Sequence, residues 1–258
     1  MANRPEISDI LNKLHSGAIT VLDAEKQINE LSVAKVEDVA NLDLEREKRC
    51  GIPEVVLAEG KDTESLVKIM HEYVRARGRC VASRINDEQL MAVCKNLPKG
   101  VNAESRKGGI LILSDGTIPK STGGVVGIIT AGTSDIRVAE EARAIAEEMG
   151  AKVSVVYDAG VAGIHRLFPA LEKLSGADVY VVCAGREGTL PSVVAGLVDK
   201  PVIGVPVSTG YGYMGKGEAA LASMLQSCAV ITVVNIDAGF TAGAFAARTA
   251  ALIAEGRK

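Results

Sequence analysis

Tryptophan is absent from this chain, and aromatic residues make up only 3% of it. A core must therefore be filled by aliphatic and small side chains. No strongly basic block occurs and the formal net charge is −3, which argues against nucleic acid or an anionic membrane surface as the main partner. No apolar signal segment opens the sequence. The longest apolar runs are broken by Gly, Pro or charge well before ~20 residues, so no segment is expected to span a bilayer. Cysteine is sparse: Cys50, Cys80, Cys94, Cys183 and Cys228 are scattered, with no Cys-x-x-Cys pair. An odd, unpatterned set points to a reducing cytoplasm and gives no sign of a disulfide framework or zinc site. The dinucleotide Gly-x-Gly-x-x-Gly signature and the phosphate-loop Lys-Ser/Thr signature are also missing, which disfavours a standard dehydrogenase or NTPase.

What is present is 47% hydrophobic residues and 27 glycines in 258 residues. That is enough for one large domain or two small ones. Small apolar residues with many tight turns fit an α/β protein whose strands are buried on both faces. The organising stretch is Gly127-Ile-Ile-Thr-Ala-Gly-Thr-Ser-Asp135. Residues 125–129 read as a buried strand and 130–135 as a small, hydroxyl-rich turn. Val138, Ala142, Ile145 and Met149 then recur at helical spacing, with Glu140, Glu141, Glu147 and Glu148 expected mainly toward solvent. Strand, small-residue turn and helix is the arrangement that cradles a phosphate, because orphan N–H groups and the helix dipole favour an anion there. Ser134 or Asp135 as a simple helix cap explains the same residues equally well.

Taken in order, residues 7–14 and 21–31 predict short amphipathic helices, with Ile7, Ile10, Leu11 and Leu14 on one face and Val21, Ala24, Ile28 and Leu31 on the other helix's face. They read as a packing arm or oligomer contact over 1–40. Residues 53–57, 80–85 and 108–113 predict strands, and 63–77 and 87–97 helices, which makes a small α/β domain over 41–120. Turn signals over 114–124 mark the junction. From 121 to 258 five apolar strands alternate with helices and predict a doubly wound parallel sheet. Ligands in such sheets sit at the carboxyl ends of strands, near the point where strand order reverses.

The candidate site residues follow those strands. They lie in Thr130-Ala-Gly132-Thr133-Ser134-Asp135, in Asp158-Ala-Gly-Val-Ala-Gly-Ile-His165-Arg166, in Ala184-Gly185-Arg-Glu187-Gly188, in Ser208-Thr-Gly210 and in Asp237-Ala-Gly. Glycines at such turns are structurally common, but five polar, small-residue strand ends together point to a site. His165 is a cap or core histidine, or, beside Arg166, part of a phosphate or carboxylate contact. Glu187 either caps the next turn or acts as a general base. Cys183 lies in an apolar run and reads as core. Cys228 just before the last strand reads as inert packing at the sheet edge, away from the other loops, unless a neighbouring subunit brings it to a site.

Thr133-Ser134-Asp135, His165-Arg166, Leu190-Pro191, Pro201-Val-Ile-Gly-Val-Pro206 and Asn235 with Ala242-Gly243 resemble aminoimidazole ribonucleotide carboxylase/mutase, the PurE-like enzymes of purine synthesis. A longer resemblance adds Leu42-Asp-Leu-Glu-Arg46, Arg49, Gly51-Ile-Pro-Glu-Val-Val56 with Gly60-Lys61, Gly160-Val-Ala-Gly-Ile-His-Arg-Leu167, Glu187-Gly188, Leu190-Pro-Ser-Val-Val-Ala-Gly-Leu197, Gly210-Tyr-Gly212, Ser227-Cys228 and Val234-Asn-Ile-Asp237. Together these resemble the LarB family, which begins synthesis of the nickel-pincer nucleotide cofactor. The resemblance implies a flavodoxin-like, PurE-like second domain and a cytoplasmic homo-octamer. It implies carboxylation of the pyridinium ring of nicotinic acid adenine dinucleotide and hydrolysis of its phosphoanhydride, giving pyridinium-3,5-biscarboxylic acid mononucleotide and AMP. Carbon dioxide or bicarbonate is then the co-substrate, and Mg2+ the expected cation. In the roles so implied, Cys228 adds to the ring, Glu187 removes the ring proton, and Asp135 and His165 complete the catalytic set. Gly132, Thr133, Ser134, Arg166, Gly185, Gly188, Ser208, Gly210 and Asn235 are the implied substrate-binding positions. Ala238 stands where the family pattern has Asn and Thr241 where it has Gly, and Lys216 and Glu218 lie in a loop expected to be more neutral. A purine-type carboxylase or mutase, and a non-catalytic nucleotide-binding protein, are the alternatives.

Overall fold

A computed structural model describes residues 7–36, 40–44, 46–210 and 212–257. Glu45 and Tyr211, both within the motifs quoted above, lie outside the described residues, and the side chain of Leu31 is likewise not described. Two helices lead: α1 (Ile7–His15) and α2 (Val21–Ser32). Ile10 and Ala24 are buried, whereas Ile7, Leu11 and Val21 stay exposed. Strands β1 (Val33–Val36) and β2 (Ala40–Asp43) pair antiparallel. After α3 (Arg46–Cys50) come β3 (Val55–Leu57), α4 (Thr63–Arg77), β4 (Arg79–Ser83), α5 (Asp87–Lys95), β5 (Asn102–Arg106) and β6 (Ile110–Ser114). Their sheet runs β3-β4-β6-β5, with only β3 and β4 parallel.

The predicted inward face of α4 is the buried one: Leu66, Ile69, Met70, Tyr73 and Val74 pack on Leu42, Leu111 and Leu113. Asp62 caps the helix by accepting from the Ser65 N–H at 2.8 Å, and Asn86 with Gln89 forms a reciprocal box at the start of α5. Sequence reading missed β1, β2 and β5. Asn102-Ala-Glu-Ser-Arg106 is a mostly polar, exposed edge strand, so no apolar alternation announces it.

The second unit comprises β7 (Val125–Thr130), α6 (Ile136–Glu148), β8 (Lys152–Val156), α7 (Leu167–Lys173), β9 (Val179–Ala184), α8 (Leu190–Ala195), β10 (Val202–Pro206), α9 (Glu218–Leu225), β11 (Thr232–Val233) and α10 (Gly239–Glu255). A single 3-10 turn at Thr133–Asp135 precedes α6, and a longer 3-10 segment, Val161–Arg166, kinked at Gly163, precedes α7. The sheet is all parallel, in the order β11-β10-β9-β7-β8. This is the doubly wound, flavodoxin-like arrangement predicted, with the order reversing between β7 and β9. One face is covered by α6 and α10 and the other by α7, α8 and α9. The α6–α10 contact is set by small residues: a Cβ on Gly243 would meet the Ala142 carbonyl oxygen at 2.2 Å.

One expectation is corrected. The glutamates of α6 do not face solvent. Glu140 and Glu141 are buried, and the Glu148 side chain is only 7% exposed. The reason is that the first sheet lies against α6. Val81, Ile110 and Ile112 form one apolar cluster with Ala144. Around it, Arg79 Nε donates to Glu148 at 2.8 Å, Arg106 pairs with Glu147, and Arg84 Nε stands 3.7 Å from Glu141. Glu140 is met within its own domain by the Tyr157 hydroxyl and Arg143. Burial, reinforced by this carboxylate, pushes the Tyr157 hydroxyl up to about 12.

Candidate active site

The carboxyl ends of β7, β8, β9 and β10 surround a cavity of about 450 Å³. It opens where strand order reverses, between the chain leaving β7 and the chain leaving β9. Gly132, Ser134 and Asp135 come from the first, Gly160 and Arg166 from the turn after β8, Gly185 and Glu187 from the turn after β9, and Gly210 from beyond β10. The volume lies within the range of small-ligand sites. Gly160 shows why the walls are glycine-rich, since a Cβ there would meet the Ala131 carbonyl oxygen at 2.6 Å.

Asp135 is the buried acid of the cavity. It occupies the residue before α6 but does not cap that helix. Its carboxylate turns back and accepts from the Gly132 N–H at 2.8 Å. Burial holds its carboxyl above the usual carboxylate range, opposed by N–H bonds from Gly132, Gly185 and Ala131. The helix start thus presents a protein carboxylate where the cradle reading placed an anionic ligand. Glu187 is exposed at the rim. Arg166 is partly exposed and bonds Asp158 at 2.7 Å.

The other sequence candidates are placed as follows. Thr133 and His165 are exposed and stand outside the cavity wall. Gly188 is a packing position, because a Cβ would meet the Ala220 carbonyl oxygen at 2.6 Å. Ser208 is turned to Asp237, giving its N–H and hydroxyl to that carboxylate at 3.0 and 2.5 Å. Asn235 accepts from the Ile236 N–H through its own side chain. Cys228 is a free, exposed cysteine ahead of β11. It sits at the amino end of the edge strand, while the cavity lies at the carboxyl ends. Cys183 is buried in the core and its thiol is pushed up by that burial. Sequence reading did not single out Arg186, Thr189 and Thr209, which also line the cavity, nor Asp237 as the group that fixes Ser208. Each of them follows an apolar strand within five residues, so the strand-end rule contained the signal.

Among the described residues no group of three His, Cys, Asp or Glu side chains is arranged to hold a metal ion. The cavity therefore offers no all-protein cage for the expected Mg2+, an ion that is more often held by one or two carboxylates together with the phosphates of its substrate. No helix among the described residues is long and apolar enough to cross a membrane.

Comparison with known proteins matches residues 125–257 to the AIR carboxylase family and residues 33–112 to the LarB/PurE-like N-terminal domain. A protein of Methanocaldococcus jannaschii described only as uncharacterized is 42% identical over 249 residues, which cover 93% of this chain and 95% of that protein. The N5-carboxyaminoimidazole ribonucleotide mutase of the same organism is 39% identical over 130 residues, 48% of this chain and 78% of the mutase. A probable mutase of the same name from Methanothermobacter thermautotrophicus is 31% identical over 127 residues, 47% of this chain and 36% of that protein.

Proposed function

This chain belongs to the LarB family, its PurE-like AIR carboxylase domain preceded by the LarB/PurE-like N-terminal domain, and we propose that it carboxylates nicotinic acid adenine dinucleotide and cleaves its phosphoanhydride. The observation that carries this reading over a purine mutase is coverage. The purine mutases match only about half of the chain, whereas residues 33–112 match the LarB/PurE-like N-terminal domain as well.

The chemistry asks for four things. A pyridinium ring is electron-poor and does not attack CO2. Addition of the Cys228 thiolate forms a C–S bond and leaves an electron-rich enamine, whose ring carbon attacks CO2 to form the new C–C bond. Glu187 removes the ring proton from that carbon, the electron pair returns to the ring, and the thiolate leaves. Water then cleaves the phosphoanhydride and releases AMP. Gly132, Ser134, Gly185 and Gly210 offer close backbone approach to the ligand, and Arg166 offers a cation for its phosphate or carboxylate. Magnesium and the dinucleotide belong together in the assay.

The thiol needs a second copy of the chain. Cys228 is not in the cavity wall of its own subunit, and its surroundings suit an interface: Leu225 and Val230 are exposed apolar neighbours. In a homo-octamer of the kind proposed, one protomer supplies the cavity and another the thiol. Subunit mixing tests this. Cys228→Ala and Glu187→Gln are each expected to be inactive alone. Unfolded and reassembled together at equal ratio, they should regain about a quarter of wild-type turnover, because that share of sites draws both functional groups from intact copies. No recovery from well-assembled mixtures would reject the shared site. A purine-type mutase remains the second reading, carried by the 39% identity over 130 residues and by the AIR carboxylase match to residues 125–257. It predicts turnover of a carboxyaminoimidazole ribonucleotide that survives Cys228→Ala.

A further inference from the structure

A side chain of the N-terminal domain, Arg84, is tied to the residue that holds one wall of the cavity. Arg84 follows β4 directly, with a φ of 56°. Asp237, across the domain seam, has the same φ of 56°. Left-handed backbone at two non-glycine residues persists only where the surroundings hold it. Here Arg84 spans the gap. One guanidinium nitrogen donates to Glu59 at 2.9 Å and another to the Asp237 carbonyl oxygen at 3.0 Å. The Asp237 N–H is in turn tied to the Pro206 carbonyl at 2.9 Å. With its backbone held from both sides, Asp237 aims its carboxylate at Ser208, which donates both N–H and hydroxyl. Arg137 approaches the same carboxylate at 3.4 Å. Ser208 begins the segment whose next two residues, Thr209 and Gly210, form a wall of the cavity.

We propose that Arg84 is a positioning residue: it fixes Asp237, and through Asp237 the 208–210 wall of the cavity, so that the N-terminal domain shapes the site without touching the ligand. The remaining seam arginines differ in this respect. Arg106 pairs with Glu104 and Glu147, which lie on β5 and at the end of α6, away from the β10 strand end that leads into the 208–210 segment. It braces the domains and supplies an internal control.

Hydrogen exchange on the full-length protein reads the effect directly. In Arg84→Gln the peptide covering 207–217 should exchange at least about fivefold faster than in wild type. The peptide covering 125–135 should be unchanged. Arg106→Gln should leave 207–217 at the wild-type rate. Arg84→Lys keeps the charge but loses the fork that serves Glu59 and Asp237 together, so it should fall between, and it decides the matter if Arg84→Gln fails to fold. A second readout rests on the dinucleotide reading above: KM should rise about tenfold in Arg84→Gln, with kcat within about twofold. Wild-type exchange over 207–217 in the Arg84 variants, or equal loosening by Arg106→Gln, overturns the proposal. Absence of wild-type turnover would defeat the dinucleotide reading alone, since the exchange result stands without it.

Discussion

The two sheets of this molecule are filled in opposite ways. Helix α4 of the first domain presses long side chains, Leu66, Met70 and Tyr73, onto its sheet. In the second domain, α6 and α10 meet through Ala139, Ala142, Ala146, Ala242, Ala246 and Ala250. Long side chains keep backbones apart and tolerate adjustment. Small ones bring backbones into contact and leave no slack. The site belongs to the second kind of packing, since its walls are turns held close by glycine. Among the described residues, the first domain contributes arginines across the seam, while the cavity lining comes from the second domain.

If that contrast is right, adding one carbon to the second domain should hurt as much as removing three from the first. Gly243→Ala forces a methyl against the Ala142 backbone and should lose about 3 kcal/mol in denaturant unfolding, the upper end of overpacking costs, because the clash is with main chain. Leu66→Ala leaves a cavity in a fully buried position and should lose about 3 kcal/mol by the same measurement. Equal tolerance of Gly243→Ala and an exposed alanine substitution would erase the distinction between the two cores.

Smaller effects test the seam. Arg79→Ala strands Glu148, whose side chain is only 7% exposed, and should lose about 2 kcal/mol. The smallest effect is pH-dependent. The Glu141 carboxyl stands above the usual range, first because it is buried, while Arg84, Ser83, the Phe240 N–H and Arg137 pull it back down. A raised folded-state value means that the stability linked to this group is complete below its unfolded pKa and is lost as pH rises through the folded one. Removing Arg84 raises the folded value further. The Tm deficit of Arg84→Gln should therefore be about 2–4 °C near pH 7 and narrow as pH falls toward 4. A deficit that widens in acid would contradict this assignment of the Arg84–Glu141 contact.

Sequence and structure agree best where local signals are strong. The central C-terminal strands are short apolar runs with glycine soon after them, so residues 125–129 and 179–183 declared β7 and β9 almost to their ends, whereas the apolar run before Asp237 yields only the two residues of β11. Of the five strand ends read from the sequence, those of β7, β8, β9 and β10 line the cavity, whereas the residues after β11 do not. What escaped was what depends on distant partners. The period of α6 marks Glu141 and Glu148 as solvent-facing, and nothing within that helix reveals that Arg84 and Arg79 arrive from the other domain. Asn102-Ala-Glu-Ser-Arg106 becomes a strand because β6 pairs with it, not because of its own residues. Cys228 shows the converse. Its short local context reads as inert packing, and only the long family motif assigns it chemistry.

The most direct test of the functional reading is mass spectrometry of the products formed from nicotinic acid adenine dinucleotide, bicarbonate and magnesium by the purified full-length protein. The account predicts AMP together with a pyridinium mononucleotide that is heavier by one carboxylate and labelled by 13C-bicarbonate, and loss of both in Cys228→Ala. Unchanged dinucleotide from folded, oligomeric protein would contradict it, and conversion of a carboxyaminoimidazole ribonucleotide in its place would assign the chain to the purine reaction.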